Sequence, residues 1–204
     1  MCYYYQLAHT AAEIEKRFKA KFLQRQKYIS KHQINGFQFP ENPVITNQHP
    51  KVISLFQWGL IPFWAKDDSI KKFTLNAKIE TLMEKPSFRQ VVANRCLIPA
   101  DGFYEWKWLD SKGKHKQKYR ISIPGNQLFS FGGLWSEWVS KQTGEIIHSY
   151  TIVTIPANSF MAEIHNSKKR MPLILSENNE KQWLEGLAVD NFYTFNNVLV
   201  AEKL

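Results

Sequence analysis

The sequence predicts an α+β fold: a single domain with a curled, barrel-like, mostly antiparallel sheet and a few peripheral helices. Three observations carry that expectation. Residues 95–154 hold five strand-like runs separated by turn chemistry, in the order of a meander. The helical patterns are short and lie outside that stretch. A chain of 204 residues with no linker, repeat or low-complexity tract suits one domain better than two.

Residues 2–7, Cys-Tyr-Tyr-Tyr-Gln-Leu, read as a short strand. Thr10 followed by Glu13 is a capping-box signature, and Ile14, Phe18, Phe22 and Arg25 recur at helical spacing, which predicts a helix over 11–27. Gly36, Pro40, Pro43 and Pro50 make 35–50 a loop with a short extended piece. Residues 51–58 read as a buried strand and 59–64 as an apolar, turn-rich segment. Ser87 with Gln90 predicts a short capped helix toward Asn94. The central strands fall at 95–98, 102–108, 117–123, 128–138 and 146–154. They are divided by Asp110-Ser111-Lys112-Gly113, Pro124-Gly125-Asn126 and residues 141–144. A short helix over 156–164, a strand over 171–175, a capped helix over 176–186 and an extended segment over 192–200 complete the reading.

Composition narrows the function classes. The chain is 44% hydrophobic and 14% aromatic, which supplies a core and excludes intrinsic disorder. Cys2 and Cys96 are the two cysteines, too few for a disulfide framework or a cysteine-rich zinc site. The histidines lack ligand spacing and no Gly-rich phosphate loop is present, so neither a metal nor a nucleotide cofactor is expected. The N-terminus lacks the basic and apolar regions of a secretory signal, and no apolar run approaches the roughly 18 residues of a membrane helix. A cytoplasmic monomer with no membrane partner is the expectation. Lys and Arg number 27 against 18 Asp and Glu, a net charge of +9. The basic residues concentrate in 16–31, in 107–120 and in Lys168-Lys169-Arg170, interleaved with aromatics. That pattern fits either a solvated surface or a polyanion partner, since cations facing phosphates release counterions and rings stack on single-stranded bases.

Four regions could carry chemistry. Loss of Met1 would leave Cys2 with an α-amine and a thiol on one residue, with reference pKa values of about 7.7–8.0 and about 8.5. Such a 1,2-aminothiol condenses with an aldehyde to an imine that the sulfur closes into a thiazolidine. Glu105 stands among the rings of Gly102-Phe103-Tyr104-Glu105-Trp106, where desolvation would raise its pKa toward general-acid range; an ion-paired surface carboxylate is the alternative. His165 ends a short helical pattern just before a basic run, which suits a proton shuttle near an anion. Asn76 and Lys78 lie together in Asn76-Ala77-Lys78-Ile79-Glu80-Thr81, where the amide could orient a substrate and the amine could meet a phosphate.

Taken in order, these pieces resemble the SRAP (SOS response-associated peptidase) family of abasic-site DNA-protein crosslinking proteins. The resemblance rests on Met1-Cys2, Asn76-Ala77-Lys78 with Glu80-Thr81, Ala100-Asp101-Gly102-Phe103-Tyr104-Glu105-Trp106, and His165 with Arg170-Met171-Pro172. Trp58-Gly59-Leu60-Ile61-Pro62 and residues 151–154 support it. It implies capture of the ring-opened aldehyde of an abasic site in single-stranded DNA, and nucleoid association while bound. Cys2 would be the nucleophile after self-removal of Met1, and Asn76 would hold the terminus and the sugar-derived atoms. Glu105 would transfer protons, and His165 would open the deoxyribose and assist reversal, a lyase-type step. Phe63 and Trp64 would stack on bases, while Lys78 and Arg170 contact phosphates. Tyr3 and Tyr4 stand where the family usually has Gly-Arg, and Lys78 stands where Arg is common. Two other readings remain open: a cysteine peptidase acting on other proteins through Cys2 and His165, and a non-catalytic nucleic-acid-binding module.

Overall fold

The computed structural model describes residues 2–193 and 198–204. It opens with strand β1 (Tyr4–Leu7) and helix α1 (Ala11–Phe18). The Thr10 hydroxyl accepts the Glu13 N–H, and the Glu13 carboxylate accepts the Thr10 N–H at 2.7 Å, the reciprocal cap its sequence predicts. The helix stops well short of residue 27. Lys19 turns left-handed, and the Glu15 carboxylate takes the Phe22 N–H at 3.1 Å. Phe22 therefore reaches the core from an extended piece, β2 (Lys21–Phe22), rather than from a further helical turn.

β3 (Lys31–Asn35) follows, and the expected loop over 35–50 contains a barrel strand, β4 (Glu41–Thr46). β5 (Val52–Trp58) ends at Gly59, whose φ of +109° turns the chain where a Cβ would meet the Lys71 carbonyl oxygen at 2.9 Å. Next come β6 (Asn76–Lys78) and α2 (Pro86–Arg89), which starts on Pro86 with no Ser87 cap. The expected central strands are β7 (Arg95–Ala100), β8 (Gly102–Trp108), β9 (Lys116–Ser122), β10 (Phe129–Val139) and β11 (Ile146–Pro156). The chain continues through α3 (Ser159–Ile164), β12 (Arg170–Pro172), β13 (Ile174–Leu175) and α4 (Glu177–Leu184) to β14 (Val200–Lys203). The single strand expected at 171–175 is two, because β12 pairs with β11 and β13 with β10. Of the segment expected to be extended over 192–200, residues 194–197 lie outside the described residues, Val189–Phe192 is a 3-10 turn, and β14 starts at Val200.

Strands β5, β4, β7, β10 and β11 form a closed barrel. The closing seam is parallel, with Ser149 opposite Gln57 and Tyr150 opposite Trp58. The central strands are thus not one meander: the β8–β9 hairpin leaves the barrel for a second sheet ordered β14-β9-β8-β1-β3. Asp101 makes the corner between β7 and β8. Its backbone N–H donates to the Gln6 carbonyl at 3.0 Å, and its buried carboxylate accepts the Ala8 N–H at 2.6 Å. Gly133 lets the barrel wall close; a Cβ there would come within 2.4 Å of Ile98 and 2.6 Å of the Thr151 carbonyl oxygen. Both sheets share one core, with Tyr5, Trp58, Phe103, Phe129, Phe131 and Tyr150 fully buried. Among the described residues no helix is long and apolar enough to cross a membrane.

Candidate active site at the start of the chain

β1 pairs antiparallel with β8, Tyr4 opposite Tyr104 and Gln6 opposite Gly102, which lays the first residues of the chain beside the strand that carries Glu105. Cys2 is fully buried, and its thiol donates weakly to the Tyr4 carbonyl at 3.6 Å. Burial, reinforced by the charge of Glu105, pushes the thiol far above its ordinary range. Asn76 reaches Cys2 from a separate part of the chain. β6 runs parallel to β11, the buried Trp58 indole donates to the Leu75 carbonyl at 2.8 Å, and the Asn76 amide then donates to the Cys2 carbonyl at 2.9 Å. The other amide atom, Asn76 Oδ1, is buried and has no hydrogen-bond partner among the described residues, which leaves an unused acceptor on the amide that holds Cys2.

Glu105 shares the inner face of β8 with Phe103. It is 4% exposed, and desolvation raises its carboxyl from the ordinary 4.5 to about 7. His165 is the C-terminal cap of α3, whose other end is fixed by the Asn158 side chain on the Met161 N–H. Its Nε2 lies 3.9 Å from Glu105 Oε2, and burial lowers its pKa to about 4. At that distance and with those opposed shifts, the two are not an ion pair at neutral pH. Burial favours the uncharged form of each, so a carboxyl faces an imidazole. Asn166 ties this loop to β8: its amide oxygen accepts the Trp108 N–H at 3.0 Å and its amide nitrogen donates to the Trp108 carbonyl at 2.9 Å.

The other expected residues are distributed unevenly. Phe63 and Trp64 are 58% and 43% exposed and line an open hollow of about 400 Å³ with Pro86, Arg89 and Gln90. Lys78 ends β6 exposed, two residues beyond Asn76 and so on the same face of the strand. Arg170 is different. Its guanidinium grips both Glu80 carboxylate oxygens, one at 3.0 Å, and donates to the Thr154 carbonyl at 2.6 Å, so it is engaged within the protein. Tyr4 packs edge-on against Trp106 with ring centroids 5.1 Å apart, and Tyr3 lies 4.8 Å from Phe37. The roles of Glu80, Thr154 and Asn166 around the pair escaped the sequence reading. The first two stand in segments it had marked; an Asn after a helix end reads only as a turn. Among the described residues no group of three or more His, Cys, Asp or Glu could hold a metal ion.

Fold and site together define a class of protein that buries a cysteine at the second position of its chain, against the sheet beside the barrel, with a buried carboxylate and imidazole next to each other. The chain matches the family model for SOS response associated peptidase (SRAP) over residues 1–200, and it belongs to that family. Abasic site processing protein YoqW of Bacillus subtilis (strain 168) is 47% identical over 138 residues, 67% of this chain and 59% of that protein. Abasic site processing protein HMCES of Gallus gallus is 31% identical over 159 residues, 66% of this chain and 46% of its own length. The chain thus matches about half the length of these relatives. The crystal structure of a Bacteroides thetaiotaomicron protein superposes with a TM-score of 0.91 at 30% identity, covering 100% of this chain and 92% of that one.

Proposed function

We propose that this chain processes abasic sites, capturing them in single-stranded DNA as a covalent thiazolidine through Cys2 once Met1 has been removed. The observation that carries the reading is the convergence of Cys2, Asn76, Glu105 and His165 from four separate segments onto the start of the chain. The family membership and the names of the relatives point the same way.

The electrostatics favour an order of events. The thiol is held protonated by burial, so capture begins at the amine of Cys2, which adds to the C1 aldehyde of the opened deoxyribose. Glu105, with a pKa of about 7, supplies the proton with which the carbinolamine oxygen leaves as water. The sulfur then adds across the carbon–nitrogen double bond and its proton passes to Glu105. The balance is aldehyde plus aminothiol giving thiazolidine plus one water. Asn76 orients the Cys2 carbonyl and offers its buried oxygen to the incoming hydroxyls, and neutral His165 takes and returns the proton that opens the sugar ring. Phe63 and Trp64 provide stacking faces and Lys78 a phosphate contact.

A peptidase acting on other chains fits the site less well. It needs a thiolate–imidazolium pair, whereas here the thiol is raised and the imidazole lowered. The test is a denaturing gel of the purified protein with a single-stranded oligonucleotide carrying one abasic site. A shifted band absent in Cys2→Ala is expected. No band, or an equal band from Cys2→Ala, overturns the reading, and salt-sensitive binding without a band returns the protein to the non-catalytic class.

A further inference from the structure

A neutral histidine acts through whichever ring nitrogen lacks the proton, so what sets its tautomer sets its chemistry. His165 Nδ1 lies 2.7 Å from the Arg170 carbonyl oxygen and 3.3 Å from the Arg170 N–H. One nitrogen cannot donate to the first and accept from the second. The shorter contact places the proton on Nδ1, which leaves the lone pair of Nε2 facing Glu105. The carbonyl of Arg170 is therefore the tautomer's determinant.

That carbonyl needs an anchor. Arg170 begins β12, three residues long, directly after a turn in which Lys169 has a φ of +50°. Backbone pairing with Pro156 secures only one side of it. The side chain does the rest: both terminal nitrogens bind Glu80, and one also donates to the Thr154 carbonyl and, at 3.2 Å, to its hydroxyl. A fork-to-fork Arg–carboxylate pair fixes direction as well as distance. The Arg170 side chain is 11% exposed and both of its terminal nitrogens are engaged, while Nε is buried without a hydrogen-bond partner among the described residues, so the two ends of the fork act as the strut. Glu80 itself follows β6 in the 3-10 turn Ile79–Thr81, three residues after Ala77 and four after Asn76. One short segment thus reaches Cys2 through Asn76 and Arg170 through Glu80.

We propose that Glu80 is a positioning residue for His165: its grip on Arg170 holds the Arg170 carbonyl on Nδ1 and keeps Nε2 directed at Glu105. The proposal rests on the acid–base role given to His165 above, but the tautomer can be read without DNA. In the free protein, nitrogen-15 NMR of the His165 ring is expected to show a protonated Nδ1 and a bare Nε2. Glu80→Gln, which keeps the shape and loses the charge, is expected to mix the tautomers; Glu80→Asp is expected to restore most of the wild-type pattern. With an abasic single strand, the rate constants for crosslinking and release fall about tenfold in Glu80→Gln, the usual scale for a residue that orients a reacting side chain. Affinity for an intact strand is expected to stay within about twofold, since Glu80→Gln leaves the charge of Arg170 in place. A wild-type tautomer in Glu80→Gln overturns the proposal, as does a Glu80→Gln defect confined to DNA affinity. Absence of any crosslink in the wild type would instead refute the function proposed above while leaving the NMR result to judge Glu80.

Discussion

Replacing Glu105 by Gln removes a titration whose cost to folding can be worked out. The carboxyl is 4% exposed, so solvent does little to relieve the burial that raises its pKa from 4.5 to about 7. At 1.36 kcal/mol for each tenfold in acidity, that displacement amounts to about 3 kcal/mol. The sign follows from proton binding. Between pH 4.5 and 7 the folded protein holds a proton at Glu105 that the unfolded chain has released, so stability falls as pH rises through that window. His165 works in the opposite direction: its pKa drops from 6.5 to about 4, so the unfolded chain binds the extra proton and stability rises from pH 4 to 6.5. In the wild type the two slopes largely cancel. Urea unfolding of wild type and Glu105→Gln across pH 4–8 separates them. The variant should match the wild type near pH 4.5 and exceed it by about 3 kcal/mol at pH 8, with the rising slope of His165 exposed. A stability difference that is the same at pH 5 and pH 8 would refute the desolvated carboxyl and with it the proton donor proposed for capture.

Three further outcomes follow from the geometry. Gly133→Ala drives a Cβ into Ile98 and the Thr151 carbonyl oxygen, and thermal unfolding should show a loss of about 3 kcal/mol, the upper range for overpacking. Asn166→Ala removes both hydrogen bonds that tie the His165 loop to β8; chemical denaturation should register about 2 kcal/mol, and crosslinking should slow by more than global unfolding accounts for. Trp64→Ala should weaken binding of an intact single strand by about 1–3 kcal/mol in fluorescence anisotropy, while leaving the pH dependence of stability unchanged.

The fold class was legible because its signals are local. Period-2 runs over the central strands, the Thr10–Glu13 cap and the turn dipeptides act within a few residues of themselves. The failures were tertiary. Phe22 keeps the helical spacing of Ile14 and Phe18, but the pairing of Lys21 and Phe22 with β5 outweighs it. β3 pairs with β1 without any apolar alternation in Lys31-His32-Gln33-Ile34-Asn35, and β4 tolerates Pro43 within the barrel wall. Nor does spacing along the chain reveal that β7 and β8 part at Asp101 into different sheets. The site shows the same division. Glu105 among aromatics announces its own desolvation, and Cys2 its chemistry, from sequence alone. Arg170 reads as an exposed cation until Glu80, ninety residues earlier in the chain, is found holding it.

The central claim is that an N-terminal cysteine formed by loss of Met1 captures an aldehyde with both of its nucleophiles. Intact mass spectrometry of the product formed with an abasic single strand tests it most directly. The expected product is a protein lacking Met1 joined to the oligonucleotide with loss of one water, stable without a reducing agent because the sulfur has closed the ring. An adduct that retains Met1, or one that survives only after borohydride reduction, would contradict it: the first leaves no free amine on Cys2, and the second is an imine that the thiol never closed.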